Sequence, residues 1–137
     1  MKIAICGSMA FTDKMFEVKA QLEKIGHIAV LSGFGEHYLG KSQEEIEKLK
    51  LYHKNEQDAM KEFWEQIKNS DAILVLNYDR KGIAGYIGGN TLMEIGFAHV
   101  LDKKIFLLNP IPDIEFYKTE IVAVKPVILN GDVSKIG

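Results

Sequence analysis

Five short, largely apolar segments alternate with amphipathic segments along this chain, and this alternation restricts the possible folds more than any other feature. Segments that are apolar on both faces are typical of parallel strands covered by helices on both sides of a sheet. We therefore predict an α/β domain with a small, doubly wound, flavodoxin-like or Rossmann-like sheet of five parallel strands and helices on both faces. The five predicted strands are residues 2–6, 27–31, 71–77, 104–108 and 126–129.

The segments between the strands carry the apolar periodicity of helices. Apolar residues recur at steps of four and three from Phe11 to Ile25, which predicts a helix capped by Thr12 and ended by Gly26. The many charges of the next helical segment are interpreted as a solvated helix face, and the charged stretch at 54–57 predicts a kink or break. The remaining predictions are loops at 32–41 and 78–89 and helices at 42–70, 89–101 and 114–124.

Composition fits a single domain over residues 1–137, since 47% of the residues are hydrophobic and the net charge is −2. The near-neutral charge gives no indication of a nucleic-acid polymer as partner. No stretch approaches the roughly 18–20 apolar residues of a membrane span, and the N-terminal apolar run is too short for a signal peptide. We expect a cytoplasmic protein. Its one cysteine, Cys6, excludes an internal disulfide and a Cys-rich zinc site, and no histidine spacing indicates a metal.

The loops after the predicted strands should meet at one edge of the sheet, where ligands of doubly wound domains bind. Gly7, Ser8 and Met9 follow the first strand, and their exposed amides could hold a phosphate or a ribose hydroxyl. A plain tight turn is the alternative. The G-x-G-x-x-G fingerprint and the G-x-x-x-x-G-K-[ST] motif are absent, so neither a dinucleotide nor a Walker-type NTPase is indicated.

Glu94 is the principal candidate for chemistry. It follows Thr91 by three residues, which matches a capping box and would make it a structural cap. On the other hand, Gly88 and Gly89 leave space around the carboxylate, and the helix dipole would favour its ionised form. A fixed, ionised carboxylate in a cleft suits attack on the anomeric carbon of a sugar.

Asp58 is the best second carboxylate, because it lies at the start of a helix and could supply the proton that a leaving base needs. Its alternative role is a helix cap. The segment after the third strand adds candidate substrate contacts, namely Asn77, Asp79, Gly88, Gly89 and Asn90. His37 is a possible ligand contact in the glycine-rich loop.

The order and spacing of these elements resemble the nucleoside 2-deoxyribosyltransferase superfamily, which includes the 2'-deoxynucleoside 5'-monophosphate N-glycosidases. The matching features are the turn at Gly7, the acid Asp58 before the third strand, and the pattern G-x-x-x-x-E-x-G-x-A over residues 89–98. Members often carry an acid or a serine six residues before the nucleophile, where this chain has Gly88.

The resemblance implies that Glu94 is the nucleophile, that Asp58 helps the base to leave, and that residues 7–9 line the sugar or phosphate pocket. It implies a small-molecule nucleoside or nucleotide as substrate, no metal or organic cofactor, and a homodimer or larger assembly. Water would complete a hydrolysis and a second base a transfer. Base preference and the need for a 5'-phosphate stay open, since Arg80 is the chain's one arginine and Lys14, Lys41 and Lys81 are further possible phosphate contacts.

Two other functions remain as alternatives. Lysine-decarboxylase-like phosphoribohydrolases carry P-G-G-x-G-T-x-x-E, and residues 88–94 match this pattern less well, because they are one residue short and lack the proline. The same pocket could also bind a nucleotide without catalysis, as a sensor domain.

Overall fold

The computed structural model of the protein describes residues 1–32, 35–56 and 58–136. It contains a five-stranded sheet with the order β2-β1-β3-β4-β5, in which every neighbouring pair is parallel. The fold class predicted from the sequence is therefore confirmed. The strands are β1 (Lys2–Cys6), β2 (Ile28–Val30), β3 (Ala72–Val75), β4 (Lys104–Leu107) and β5 (Val127–Ile128).

Helices cover both faces of this sheet, as the two-sided apolar strands require. The α-helices are α1 (Thr12–Lys24), α2 (Gln43–Glu56), α3 (Ala59–Lys68), α4 (Gly89–Val100) and α5 (Lys118–Ala123). Short 3-10 turns lie at Met9–Phe11, Gly35–Tyr38 and Val133–Lys135.

Alternate residues of each strand pack into two separate apolar cores. Ile5 and Leu74 lie with Leu22 of α1 in one core, whereas Ile73 and Ile95 belong to the other core, beneath α3 and α4. Burying one such side chain stabilises the fold by about 1.5–3 kcal/mol, so the central strands tolerate polar residues on neither face. This two-sided burial positions the strand ends that bear the site.

Local caps differ in part from the sequence prediction. Gly26 follows the end of α1 with φ +100°, as predicted for a helix-terminating glycine. Thr12 was expected to cap α1 but is its first helical residue, because the 3-10 turn before it extends the helical path. The hydroxyl of Thr12 donates instead to the carbonyl of Met9. Ser8 caps the 3-10 turn, with its hydroxyl accepting from the Ala10 amide at 3.2 Å.

The predicted division of the long helical segment is confirmed, since α2 ends at Glu56 and α3 begins at Ala59, but residues 54–56 of the predicted break still belong to α2 and residue 57 lies outside the described part of the chain. Two other predictions need correction. The loop at 32–41 contains the 3-10 turn Gly35–Tyr38, and residues 33 and 34 lie outside the described part of the chain. The last helix is shorter than predicted, because Tyr117 has an extended φ of −147° and its hydroxyl donates to the carbonyl of Ile87.

Candidate active site

A cavity of about 330 Å³ opens beyond the carboxyl end of β1. Strand order reverses between β1 and β3, and the crevice at such a switch point is where doubly wound domains bind ligands. The volume lies within the usual range for small-molecule sites, roughly 300–1,000 Å³. Its lining comprises residues 5–9, 88–91 and Glu94 on the sheet side, and Ser32, Tyr38, Glu47, Lys50, Lys54, residues 59–60, Phe63, Arg80, Lys81 and Tyr86 around the rest.

Glu94 lies in the second turn of α4, not at its cap. The helix begins at Gly89, with Gly88 as the N-cap residue, so Thr91 is already inside the helix. The capping-box interpretation is therefore wrong, because it required Thr91 to be the N-cap and Glu94 to sit three residues later. The carboxyl of Glu94 lines the cavity instead.

The Glu94 side chain is only 4% exposed, and none of the described residues donates a hydrogen bond to its carboxyl. Burial raises the pKa of Glu94 from its ordinary value of 4.5 to about 8, and the ammonium of Lys54 opposes part of this rise. The helix dipole was expected to favour the ionised form of Glu94, but Glu94 lies beyond the first turn, where the dipole acts most strongly, and desolvation shifts its pKa in the opposite direction. A carboxyl held in this way is poised to change its charge near neutral pH.

Cys6 lies beside Glu94 at the end of β1. The thiol lines the cavity but is almost fully buried, and its Sγ approaches the carbonyl of Ala4 at 3.9 Å. Burial, and to a lesser degree the charge of Glu94, raises the pKa of the Cys6 thiol well above its usual range. The thiol is therefore protonated at neutral pH and is not an activated nucleophile.

The turn after β1 forms the floor of the cavity. Gly7, Ser8 and Met9 all line it, as the sequence predicted for a pocket at this strand end. Gly7 has φ +151°, and a Cβ there would lie 3.1 Å from the carbonyl oxygen of Leu76 and 3.3 Å from Cε of Met15. Only glycine fits this backbone path, which brings the main chain close to any bound ligand.

The loop before α4 supplies Gly88, Gly89 and Asn90 to the cavity lining. A Cβ on Gly89 would meet no atom within 4 Å, so the space beside the helix start is open. A Cβ on Gly88 would lie 3.1 Å from the hydroxyl of Tyr86. Gly88 thus leaves room for the aromatic side chain that closes this part of the cavity.

Asn77 and Asp79 belong to the predicted loop but are not among the residues that line the cavity. The side-chain amide of Asn77 is buried and donates to the carbonyls of Asn109 (2.9 Å) and Pro110 (3.1 Å). Asp79 accepts a hydrogen bond from the amide of Gly85 at 2.9 Å. In the structure both side chains hold loops together at the strand ends.

Asp58 is likewise not brought to the cavity. Its side chain is exposed and caps α3 by accepting a 3.4 Å hydrogen bond from the amide of Lys61. Its backbone is left-handed, with φ +48°, at the junction between α2 and α3. The next residue, Ala59, does line the cavity, so Asp58 stands at its margin.

Among the described residues, four cationic side chains line the cavity: Lys50, Lys54, Arg80 and Lys81. Arg80 forms a 3.4 Å ion pair with Glu47, which helps to fix its guanidinium at the rim. Of these four, Lys81 was predicted from the sequence as a possible phosphate contact, whereas the lysines of α2 were interpreted as part of a solvated helix face. Lys50 and Lys54 are four residues apart and therefore share one face of α2, but a solvated helix face has the same spacing.

The other two lysines considered for phosphate lie elsewhere. Lys14 pairs with Glu17 on α1, and Lys41 lines a separate, shallow groove. With Glu47 and Glu94 as the acids of the cavity lining, positive charges outnumber negative ones, and the cavity is suited to an anionic ligand.

The described ranges, residues 1–32, 35–56 and 58–136, contain neither a candidate metal site nor a candidate membrane span. Within them, no three His, Cys, Asp or Glu side chains are grouped so that they could hold a metal ion. None of the described helices is long and apolar enough to cross a bilayer.

No protein-family model and no curated protein matches this chain in sequence. Among solved structures, it is similar to a 2-deoxyribosyltransferase from the psychrotolerant bacterium Bacillus psychrosaccharolyticus, with a TM-score of 0.55 and 19% identity over 98% of this chain and 95% of the other. It is also similar to a CMP N-glycosidase from Clostridium botulinum, with a TM-score of 0.51 and 18% identity over 95% and 90% of the two chains. The resemblance noted in the sequence therefore extends to the fold of both proteins.

Proposed function

We propose that the protein is an enzyme that cleaves the N-glycosidic bond of a (deoxy)nucleoside or its 5'-monophosphate, with Glu94 as the nucleophile. The observation that carries this proposal is the buried carboxyl of Glu94, which lacks a hydrogen-bond donor among the described residues and faces a 330 Å³ cavity at the sheet's switch point. The two structural neighbours, a deoxyribosyltransferase and a CMP N-glycosidase, support this class of reaction.

The charges of the cavity favour the 5'-monophosphate over the free nucleoside. Lys50, Lys54, Arg80 and Lys81 surround a space of nucleotide size. Glu47 pairs with Lys50 and Arg80, and a phosphate, unlike a free nucleoside, would offset the positive charge that remains. Hydrogen bonds from cations to a phosphate are stronger than those between neutral groups, roughly 1.5–3 kcal/mol each. Tyr86 lies beneath Arg80, whose guanidinium carbon is 5.6 Å from the ring centroid, and this contact holds the cation at the rim.

The proposed reaction proceeds in two displacements at the sugar's C1'. An ionised oxygen of Glu94 attacks C1', the C1'–N bond breaks with its electron pair on the base, and the base takes up a proton. The resulting glycosyl ester is then attacked at C1' by water or by a second base, which loses a proton to solvent, and the Glu94 carboxylate is released. Water gives hydrolysis and a second base gives transfer. The sequence-based source of the first proton is Asp58, and that role stays a prediction.

The raised pKa of Glu94 has a direct consequence for this reaction. The carboxyl must be ionised to attack, and burial raises its pKa to about 8, so its reactive fraction increases as the pH rises towards that value. Lys54 favours the ionised form and thus assists the nucleophile from across the cavity.

The test is a product assay on purified protein. The common ribo- and deoxyribonucleoside 5'-monophosphates and the matching nucleosides are incubated with it, and free base is measured by chromatography, with and without an acceptor base. We expect base release that Glu94→Gln lowers by at least about 10³-fold while the fold survives. Glu65→Gln, an exposed glutamate of α3, is the matched control and should leave the rate unchanged. Intact-protein mass spectrometry after rapid quenching should detect the glycosyl adduct on the wild type.

Other outcomes separate the alternatives. Binding of a nucleotide without base release would favour a sensor domain. A melting temperature that no nucleotide shifts would contradict every function proposed for this cavity. Release from ribonucleotides whose rate is indifferent to Glu94→Gln would contradict the nucleophile.

We also infer that the protein is a homo-oligomer, as the sequence resemblance implies. Met93 and Val100 lie seven residues apart on the same face of α4 and are 48% and 73% exposed. Sedimentation or light scattering should give a mass of at least twice 15.4 kDa, and a monomer at micromolar concentration would contradict the inference.

A further inference from the structure

Three side chains form a hydrogen-bonded chain from the cavity wall to the protein surface. Tyr38 lines the cavity, and its hydroxyl is 2.8 Å from Nδ1 of His53. The other ring nitrogen of His53, Nε2, is 3.2 Å from Nδ1 of His37. Tyr38 and His53 are buried, whereas His37 is exposed and lines the shallow outer groove. We propose that this chain delivers a proton from solvent to the leaving base, with Tyr38 as its donor.

Each member of the chain can both donate and accept a proton. A neutral imidazole has one N–H donor and one bare nitrogen acceptor, and a phenol has a hydroxyl that does both. In one tautomer His37 Nδ1–H donates to His53 Nε2, and His53 Nδ1–H donates to the oxygen of Tyr38. The hydroxyl hydrogen of Tyr38 is then free to point into the cavity.

Four linked proton transfers connect the leaving base to solvent. The base leaves with the electron pair of the C1'–N bond and takes the hydroxyl proton of Tyr38. Tyr38 takes the proton from Nδ1 of His53, and His53 takes one at Nε2 from Nδ1 of His37. His37 takes one proton at Nε2 from solvent. The net change is one proton moved from water to the base, and both histidines end in the opposite neutral tautomer.

The surroundings of the chain keep its inner members in the required neutral forms. Burial raises the pKa of Tyr38 to about 12, so its hydroxyl retains its proton at neutral pH and needs a partner that replaces the proton at once. Burial, and then the neighbouring His37, lowers the pKa of His53, so its ring stays neutral. The outer groove around His37 carries both signs of charge, with Glu36, Glu45, Lys41 and Lys48.

This inference rests on the proposed function, and it concerns the source of the proton. The sequence assigned that role to Asp58, whose carboxyl caps α3 outside the cavity lining. Tyr38 is a polar side chain of the lining, and it is connected to solvent without opening the cavity. The two candidates make different predictions, because only one of them lies on the histidine chain.

The experiment compares two substrates that differ in their need for a proton. The first is the nucleoside 5'-monophosphate that the wild type cleaves fastest. The second is the 4-nitrophenyl glycoside of the same sugar 5-phosphate, whose leaving group departs as a stable anion. Tyr38→Phe removes the donor, and His37→Gln removes the exposed end of the chain. The matched control is Tyr52→Phe, an exposed tyrosine beside His53 that keeps its ring in the variant.

We expect Tyr38→Phe to lower kcat on the nucleotide by about 10²–10⁴-fold, the usual worth of a general acid, and His37→Gln to lower it by roughly tenfold. On the nitrophenyl substrate both variants should stay within about threefold of the wild type, since no proton is needed there. Tyr52→Phe should match the wild type on both substrates. Because His37 is exposed, its variant keeps the test valid even if loss of the buried hydroxyl unfolds Tyr38→Phe.

The contrary results are equally distinct. Equal losses on both substrates would mean that Tyr38 only shapes the cavity. Undiminished rates in both variants would exclude the hydrogen-bonded chain of Tyr38, His53 and His37 as the route of the proton. A selective loss on the nucleotide in Asp58→Asn, with none in Tyr38→Phe, would return the role to Asp58. If the wild-type protein cleaves neither compound, the proposed function itself is overturned, and the proposed proton route is overturned with it.

Discussion

The two sides of the cavity are built in different ways. On the sheet side, Cys6 and Glu94 are buried against the central strands, and the backbone at Gly7 follows a path that a side chain would obstruct. On the outer side, α2 is mostly exposed, with Ile46 and His53 as buried anchors of its described side chains. The sheet side holds the carboxyl that we propose as the nucleophile, and the outer side holds most of the charges that would select the ligand.

From this difference we infer that a domain of this kind could change its substrate preference while the proposed nucleophile stays in place. A group fixed in the core is costly to move, since interiors are close-packed and respond to the loss of single methylene groups. Charges on a half-exposed helix cost little to replace, because solvent screens them and few contacts depend on them. We therefore expect substitutions on the sheet side to change stability and rate, and substitutions on the outer side to change substrate preference.

The largest predicted effect is a change in the free energy of unfolding when the buried carboxyl of Glu94 is removed. Between pH 4.5 and about 8 the Glu94 carboxyl ionises in the unfolded chain but stays neutral in the folded protein, so the free energy of unfolding falls as the pH rises. Glu94→Gln removes this loss. We expect the variant to gain on the order of 3–5 kcal/mol over the wild type between pH 4 and pH 8, measured by urea denaturation.

The exposed Glu65→Gln should show no comparable change with pH. A difference between Glu94→Gln and wild type that is the same at both pH values would mean that the carboxyl of Glu94 is ionised in the folded protein. The contrast between a buried, reactive side and a solvated, selective side would then lose its basis.

A smaller effect is expected on the outer side. The double variant Arg80→Gln, Lys81→Gln removes two cations of the rim and should raise KM for a nucleoside 5'-monophosphate by about 10–100-fold, the worth of one or two charge-assisted hydrogen bonds. The matching nucleoside, which lacks the phosphate, should keep its KM within about threefold. Lys14→Gln, on α1 outside the cavity, is the control for a general loss of charge. KM is measured for both compounds by steady-state kinetics. An equal rise in KM for the nucleoside would contradict the assignment of Arg80 and Lys81 to phosphate binding.

The smallest predicted effect concerns the interaction of Lys54 with Glu94 across the cavity. Lys54 on α2 lowers the pKa of Glu94, so Lys54→Met should raise that pKa further. The midpoint of the rise of kcat/KM with pH should then move to higher pH, by up to about one unit. Lys48→Met, an exposed lysine of the same helix, should leave the midpoint in place. An unmoved midpoint in Lys54→Met would show that Lys54 does not affect the ionisation of Glu94. A lowered midpoint would contradict the predicted direction of its effect.

The sheet was predictable because burial on two faces leaves a local signal. Strand β1 was predicted at the observed limits, Lys2–Cys6, and the other four strands were predicted only one to three residues too long. The position of Glu94 followed in part, since a helix after a central parallel strand must begin at the ligand-binding edge. Its second-turn location did not, because Gly88 gives no side-chain capping signal and Thr91 imitates one.

The outer side could not be predicted from the sequence, for a different reason. The lysines of α2 have the spacing of any solvated helix face, and only the packing of α2 against the rest of the fold turns Lys50 and Lys54 to the cavity. Asp58 and Asn77 were assigned to the right segments of chain, but the direction of each side chain depends on local hydrogen bonds. The hydrogen-bonded chain of Tyr38, His53 and His37 joins residues up to 16 positions apart, and no periodic pattern in the sequence indicates it.

The single cysteine of this protein gives it a built-in vibrational probe. Cys6 keeps its S–H bond at neutral pH, lines the cavity, and interacts electrostatically with the carboxyl of Glu94. The S–H stretching band falls in a spectral window that is otherwise empty of protein signals, so infrared or Raman spectra could follow ionisation of Glu94 without any label. One small side chain at the end of β1 thereby makes the electrostatics of the whole crevice observable during a pH titration.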